Sequence, residues 1–147
     1  MEAKKAGGVK AWLDLATKTP LPILKASAKL LTKQIKEGAS LAHMAETIER
    51  DPALCLHLFI AANKLNKNDD VEILVLGHVI SVLGMQGVIN TVKHAPQMQL
   101  HKSDAYQKAY LQAQANSHLA GMLVEYWSSI THIGNPEQLK WATIIAG

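Results

Sequence analysis

The sequence predicts an all-α domain, and three observations support that fold class. Apolar residues make up 48% of the 147 residues, which is enough for one sizeable core in about one domain's length of chain. Phe, Trp and Tyr together make up only 5%, and a core of Leu, Ile, Val and Ala suits packed helices better than a sheet. The strong apolar patterns have helical spacing or lie between helix stop signals.

The chain divides into an N-terminal segment, residues 1–19, and a helical domain, residues 20–147. The segment contains one short candidate helix from Val9 to Ala16, which Pro20 and Pro22 separate from the domain. Gly38 is expected to end the first helix of the domain. That helix is predicted from four apolar residues at helical spacing, which are Leu24, Ala28, Leu31 and Ile35.

Cap signals delimit the next two helices. Ser40 can cap a helix whose inner face would be Leu41, Met44, Ala45 and Ile48. Asp51 can cap the helix after it, and Pro52 suits its first position, where a missing N–H costs nothing. This helix is almost entirely apolar to about Lys64, so it is expected at the centre of the core. The predicted core is Leu54, Leu58, Phe59 and Ala62, with Leu31, Ile48, Leu83 and Val92 around them.

Two middle helices and one long helix are predicted in the second half. Val71 to Leu83 is rich in β-branched residues, but helix is favoured because no second strand pattern exists to pair with it. Gly84 would end that helix, and Gln86 to Ala95 would form the next. The long helix is expected from about Asp104 to Ile130. Its predicted core stripe, with an interaction seam as the alternative, is Tyr106, Tyr110, Ala113, Ser117, Ala120, Val124 and Trp127.

A last helix begins after Asn135, which can cap it, and continues in an apolar pattern to Gly147. A chain that ends within such a pattern is expected to be a fragment of a longer protein, truncated at its C-terminal end. Further helices would then cover the apolar face that includes Leu139, Ala142 and Ile145. Without them, this face is expected to favour self-association.

The positive charge is concentrated near the N-terminal end. The net charge is +3, and Arg50 is the only arginine, which argues against the bidentate contacts of sequence-specific nucleic-acid recognition but not against nonspecific attraction. Four lysines share one helix face, and they are Lys25, Lys29, Lys33 and Lys36. This face is either a docking surface for an acidic partner, a membrane or nucleic acid, or the solvated side of an amphipathic helix.

Cysteine usage and hydropathy indicate a cytoplasmic protein. Cys55 is the only cysteine and lies in an apolar run, so it is predicted to be a small core residue. The N-terminus has lysines but no apolar run of a signal peptide. The most apolar stretch, Val71 to Met85, contains Glu72 and His78, so no membrane span is predicted.

Several short motifs resemble the HDOD family, the HD-related output domains of bacterial signalling proteins. Ile48 to Leu54, followed by Ala62-Asn63, resembles the family's I-x-x-D-P-x-L and A-N. Leu21-Pro22-Ile23-Leu24 is similar to its entry segment L-P-x-L-P, with Lys25 in place of the second proline. Val82 to Met85 resembles the family's L-L-G step. The resemblance implies an HD-like bundle of short helices plus one long helix, acting in cytoplasmic signalling without catalysis.

The resemblance also implies that the metal site of HD phosphohydrolases is lost. Alignment on Ser117 puts Asn116 where the helix histidine would be, and Ala146 and Gly147 stand in place of the His-Asp pair. Asparagine is a poor metal ligand, and Ala and Gly offer no side-chain donor. The chain has seven histidines without helical ligand spacing, and His118, next to the altered position, is expected to have a structural or solvent role. No metal or other cofactor is predicted.

The predicted function is a non-catalytic signal-transduction or output domain that binds a protein partner. Two alternatives stay open. One is a helical nucleic-acid-binding regulator that uses the N-terminal lysines. The other is a divergent HD-type phosphohydrolase with relocated metal ligands.

Overall fold

The chain forms a bundle of helices in the computed structural model, which describes residues 20–67, 73, 75–99 and 105–146, without the side chains of Tyr106 and Ala146. The predicted all-α class is confirmed. The N-terminal segment with its candidate helix from Val9 to Ala16, and Gly147, lie outside the described residues. In chain order the elements are β1 (Ile23–Leu24), α1 (Lys25–Lys36), α2 (Leu41–Glu49), α3 (Pro52–Leu65), α4 (Leu76–His94), β2 (Gln97–Met98), α5 (Ala105–Thr131) and α6 (Pro136–Ala146).

One short strand pair departs from a purely helical fold. β1 and β2 run parallel, with Ile23 opposite Gln97 and Leu24 opposite Met98. The Ile23 N–H also donates to the carbonyl of Pro96 at 2.8 Å. Pro22 and Pro96 come directly before the two strands. A proline favours extended backbone in the residue before it, and Ala95, before Pro96, has an extended φ of −70° and ψ of 141°. The two strands hold the entry segment, Leu21 to Leu24, against the chain that follows α4.

The caps that the sequence predicts are present. The Ser40 hydroxyl oxygen accepts from the His43 N–H at 3.4 Å, and the Asn135 side-chain oxygen accepts from the Gln138 N–H at 3.1 Å. Gly38 follows the end of α1 with a φ of +68°, a backbone conformation that glycine adopts without a Cβ clash. The helix ends that these local signals predict are therefore confirmed.

The two middle helices form one element with a kink. Gly84 has the non-helical φ of 66° and ψ of 166° inside α4, so the predicted break between two helices is present. The helix begins at Leu76 rather than Val71. Ile73, just before it, is buried, and its N–H donates to the Asn63 Oδ1 at 2.9 Å. The Asn63 Nδ2 donates to the Ile73 carbonyl at 3.2 Å, so one side chain pairs with both backbone groups of Ile73.

α3 lies in the middle of the core, as predicted. Of the predicted core residues, Leu83 is partly buried and the rest are buried. The prediction that Leu41 lies on the inner face of α2 is wrong, because its side chain is 46% exposed. Trp141 and Ile144 of α6, each 1% exposed, belong to the core. The ring centroids of Phe59 and Trp141 lie 5.7 Å apart.

Asp51 joins the entry segment to α3. Its side chain is fully buried. One carboxylate oxygen accepts from the Leu54 N–H at 3.1 Å, which caps α3. The other accepts from the Leu24 N–H at 2.8 Å, at the start of α1. Burial raises the pKa of Asp51 above its ordinary 3.8, and the hydrogen bonds from Leu24, Leu54, Ser27 and Ala53 act in the opposite direction.

Asp51 should therefore make the free energy of unfolding depend on pH. Because its native pKa is raised, the native state binds more protons than the unfolded chain from pH 3.8 up to the raised native value. This contribution to stability is fully present below pH 3.8 and is lost as the pH rises through the native pKa. Urea unfolding of wild type and Asp51→Asn between about pH 3 and pH 7 checks it.

The expected result is that the stability of wild type relative to Asp51→Asn falls as the pH rises. The variant should be less stable at every pH, because its amide nitrogen cannot accept from the Leu24 N–H. A relative stability that rises with pH would contradict the assigned direction of the pKa shift.

Candidate functional site

Three of the four lysines predicted to form a docking surface line one groove. Lys29, Lys33 and Lys36 of α1 face Lys93 of α4 across a cavity of about 450 Å³. Lys25 lies instead beside Met98 and Gln99. The sequence does not reveal Lys93 as a member of this group, because the packing of α4 against α1 brings it there. We call these four residues, Lys29, Lys33, Lys36 and Lys93, the lysine groove.

The lysine groove can attract anions but does not fix their position. All four lysines are exposed, and water screens their charge. Glu37 also lines the groove, and its carboxylate lies 3.8 Å from the Lys33 ammonium. Such an exposed pair contributes little to stability.

Of the positions aligned with the HD metal ligands, the structure describes the side chain of Asn116 and of its neighbour His118. Asn116 is exposed, and its side-chain oxygen accepts from the Gln112 amide at 3.0 Å. His118 is partly buried, and its Nδ1 is buried without a hydrogen-bond partner. Ala146 is the last residue of α6, and Gly147 lies outside the described residues. Across the part of the chain that the structure describes, no three His, Cys, Asp or Glu side chains are grouped as metal ligands would be.

Cys55 lies in the core, and two of the histidines pair with backbone carbonyls. Cys55 is fully buried, as predicted, and burial together with the charges of Glu49 and Asp51 raises the pKa of its thiol. The thiol is therefore poorly suited to act as a nucleophile. His57 pairs with the Leu21 carbonyl at 2.7 Å, and His94 pairs with the Asn90 carbonyl at the same distance.

The long helix α5 turns a polar and small face toward the protein. Its buried residues are Gln114, Ser117, Gly121 and Ser128. A Cβ added at Gly121 would lie 2.5 Å from the Ile144 Cγ1 and 3.1 Å from the Lys140 carbonyl oxygen. Glycine at this position therefore allows α6 to approach α5 more closely than any side chain would permit.

The predicted core stripe of α5 is partly wrong. Ser117 is buried, and Tyr110, Ala120 and Val124 are partly buried, but Ala113 is exposed and Trp127 is 52% exposed. The side chain of Tyr106 is outside the described part. α6 packs on the side of α5 that carries Gly121, so the buried face is rotated away from the most apolar one. Sequence periodicity identifies an apolar face but not the face that a neighbouring helix covers.

The opposite side of α5 exposes a continuous apolar face, which we call the outer seam. Its residues lie three or four positions apart, or next to each other, along one side of the helix. Each is between 49% and 66% exposed, and they are Leu119, Met122, Leu123, Tyr126, Trp127 and Ile130. Ile133, just beyond the helix, is 56% exposed. Single exposed apolar residues are ordinary, but a grouped set of this size is typical of a binding surface.

The last helix is fixed by its own contacts, and the face expected to be open is partly covered. Ile145 packs against the core, and Leu139 is partly buried while Ala142 is exposed. The Lys140 ammonium lies 2.8 Å from Glu49 and 3.2 Å from Glu125, so it links α6 to α2 and α5. Burial opposes its charge, but the two carboxylates outweigh that effect and raise the pKa of Lys140.

Comparison of the chain with protein-family models, with curated proteins and with solved structures gives no match. The HDOD resemblance stays a prediction. No helix among the described residues combines the length and the apolar character needed to cross a membrane.

The close contact of α5 and α6 can be tested at Gly121. Gly121→Ala should lower the free energy of unfolding by about 1–3 kcal/mol, because the added methyl group overlaps Ile144 and backbone of α6. Gly77→Ala is the matched control, since its Cβ would lie 3.6 Å from Leu41, an ordinary contact. The control should gain up to about 1 kcal/mol from helix propensity. Equal effects of both changes in urea unfolding would show that α6 does not pack this closely.

Proposed function

We propose that this chain is a non-catalytic signal-transduction or output domain that acts by binding a protein partner through the outer seam. The single observation that carries the proposal is the apolar face of α5, where six large apolar side chains lie exposed on one side of a helix. The partner that this face suits is an apolar helix or groove on another protein.

The composition of the outer seam supports specific binding rather than nonspecific hydrophobic association. Tyr126 and Trp127 lie together near the C-terminal part of α5, with Met122, Leu123 and Ile130 one turn away on either side. Aromatic residues dominate the binding energy of protein interfaces because they bury a large area with few rotatable bonds. Methionine adapts its shape to a partner. A second helix laid along the seam would meet these residues at successive turns.

The scaffold holds the seam in a fixed position. The close contact at Gly121 and the ionic link of Lys140 to Glu125 both attach α5 to α6. Because α6 places Trp141 and Ile144 in the core, α5 is connected to the centre of the domain. A partner that binds the seam therefore meets a preformed surface and orders little of the protein.

The motifs that carry the HDOD resemblance make contacts that stabilise this fold, which fits a domain without catalytic activity. Asp51 joins α3 to the entry segment, and Asn63 holds the backbone of Ile73. The proposal therefore includes a role in bacterial cytoplasmic signalling, as the resemblance implies.

Binding through the outer seam predicts a specific effect of Trp127. A protein partner isolated from the source cell should bind the wild-type chain in a defined stoichiometry, and Trp127→Ala should weaken that binding about tenfold or more. Isothermal titration calorimetry measures both affinities. Leu65→Ala is the matched control, because Leu65 is 60% exposed on α3, away from the seam, and it should leave the affinity unchanged.

Other outcomes of that experiment distinguish the competing functions. If the seam binds a second copy of the chain, sedimentation will show a dimer that Trp127→Ala dissociates. The lysine groove favours a polyanion such as nucleic acid as the second candidate. In that case Lys29→Gln and Lys93→Gln would abolish binding, the affinity would fall steeply with salt, and Trp127→Ala would have no effect, which would contradict the proposal.

The non-catalytic part of the proposal predicts that no metal is held tightly. After chelator washing, the protein should carry no stoichiometric iron, manganese or zinc by elemental mass spectrometry, and it should not hydrolyse phosphate esters or cyclic dinucleotides. The physical reason is that Asn116, at the aligned ligand position, is a neutral amide already paired with Gln112. A retained stoichiometric metal together with hydrolysis would favour the divergent phosphohydrolase.

A further inference from the structure

The exposed side of α5 is more apolar than the side that packs against the protein. The inner side buries Gln114, Ser117, Gly121 and Ser128, whereas the outer seam carries only large apolar side chains. A helix at the surface of a protein normally turns its apolar side inward and its polar side toward water. Because α5 reverses that arrangement, the outer seam has the composition of a second packing face.

The residues of the outer seam recur at the spacing of a coiled-coil helix. From Leu119 the steps alternate between four and three positions, through Leu123, Tyr126 and Ile130, and the pattern ends at Ile133. Each of these side chains is more than half exposed. An average step of about 3.5 residues marks the a and d positions of a heptad repeat, which keep one narrow stripe turned toward a partner helix. We call these residues the a/d stripe.

Polar residues mark the N-terminal end of the a/d stripe. Asn116 and Gln112 occupy the a and d positions before Leu119, and the Gln112 amide donates to the Asn116 side-chain oxygen at 3.0 Å. The apolar stripe is therefore about two heptads long. The outer seam and Ile133 together expose roughly 700 Å² of side chain, which is close to what each partner contributes to a standard interface. One helix of about two heptads has the length to cover it.

The positions beside the a/d stripe carry no charge. They are the e and g positions of the heptad, and along the stripe they hold Ala115, Ala120, Met122, Trp127 and Ser129. In coiled coils these positions often hold Glu and Lys, whose charges select the partner. The nearest carboxylate, Glu125, is already paired with Lys140. Charged residues beside the stripe of a partner helix would therefore lose water here without gaining a counter-charge.

We propose that the outer seam binds one amphipathic α-helix of a protein partner, laid lengthwise along α5 in coiled-coil packing. The partner helix has apolar residues at heptad spacing over about two heptads, with uncharged residues beside them. Its axis crosses α5 at about 20°, the angle at which side chains of two such helices interlock. This inference rests on the proposed function and specifies the class of partner that the seam takes.

The test uses synthetic helical peptides of three heptads as probes. The first has Leu at a and d, Ala at e and g, and Glu and Lys elsewhere, and it is used at concentrations where sedimentation shows it to be monomeric. Calorimetric titration of the full chain should give one-to-one binding, with a dissociation constant on the order of 10 μM. A peptide of the same composition with its leucines out of heptad spacing should bind at least about tenfold more weakly.

Variants of α5 connect this binding to the a/d stripe. Leu123→Ala, at the centre of the stripe, should weaken binding of the first peptide about tenfold. Leu65→Ala is the matched control, because Leu65 is 60% exposed on α3, and it should leave the affinity unchanged. All of these positions are exposed, so the changes leave the core intact.

A charge exchange tests the lengthwise arrangement. A peptide with Glu at its e and g positions should bind the wild-type chain about tenfold more weakly than the Ala peptide. Ser129→Lys, at a g position of α5, should recover part of that loss for the Glu peptide and weaken binding of a Lys peptide. No difference between the Glu and Lys peptides in this variant would contradict coiled-coil packing.

The outcomes separate this inference from the proposed function. If Trp127→Ala weakens binding of the native partner but the peptides with and without heptad spacing bind equally or not at all, the helix is overturned and the proposed function stands. If Trp127→Ala leaves native-partner binding unchanged while the first peptide binds as expected, the proposed function fails and the helix site stands. A dimer of the protein alone that Leu123→Ala dissociates would assign the seam to a second copy and overturn the proposal.

Discussion

Asp51 lies where the entry segment crosses the first turn of α3, and its two carboxylate oxygens accept one backbone N–H from each. This contact decides where the chain enters the bundle. It positions Leu24 for the strand pair with Met98, and it places α1 against the rest of the core. Desolvation opposes this contact, because burial disfavours the ionised carboxylate and raises the pKa of Asp51. The carboxylate is therefore better explained by the geometry it imposes than by the electrostatic energy it contributes.

The parts of this fold that could be predicted are those that depend on neighbouring residues in the chain. Ser40, Asp51 and Asn135 cap helices because a short polar side chain just before a helix reaches its first N–H groups. The burial of α3 follows from its composition alone, since it has almost no polar side to expose. Gly84 interrupts α4 because its backbone conformation is one that glycine adopts readily.

The parts that could not be predicted depend on which elements pack together. Lys93 enters the lysine groove and Trp141 enters the core because of contacts between helices distant in sequence. Helical periodicity assigns part of the outer seam to the core, because the apolar face of a helix usually points inward. In this fold Gly121 gives α6 a close approach on another side, and the buried face of α5 is polar and small. The amide of Gln114 reaches the interior for the same reason.

The double contact between Asn63 and Ile73 affects how the chain tolerates change in length. The amide of Asn63 bonds to both the N–H and the carbonyl of Ile73, so it fixes the two ends of the intervening stretch whatever the number of residues between them. The entropy lost on closing a loop rises only slowly with its length. Insertions or deletions between these two residues should thus be the cheapest way for related sequences to diverge, while the register of α3 and α4 stays the same.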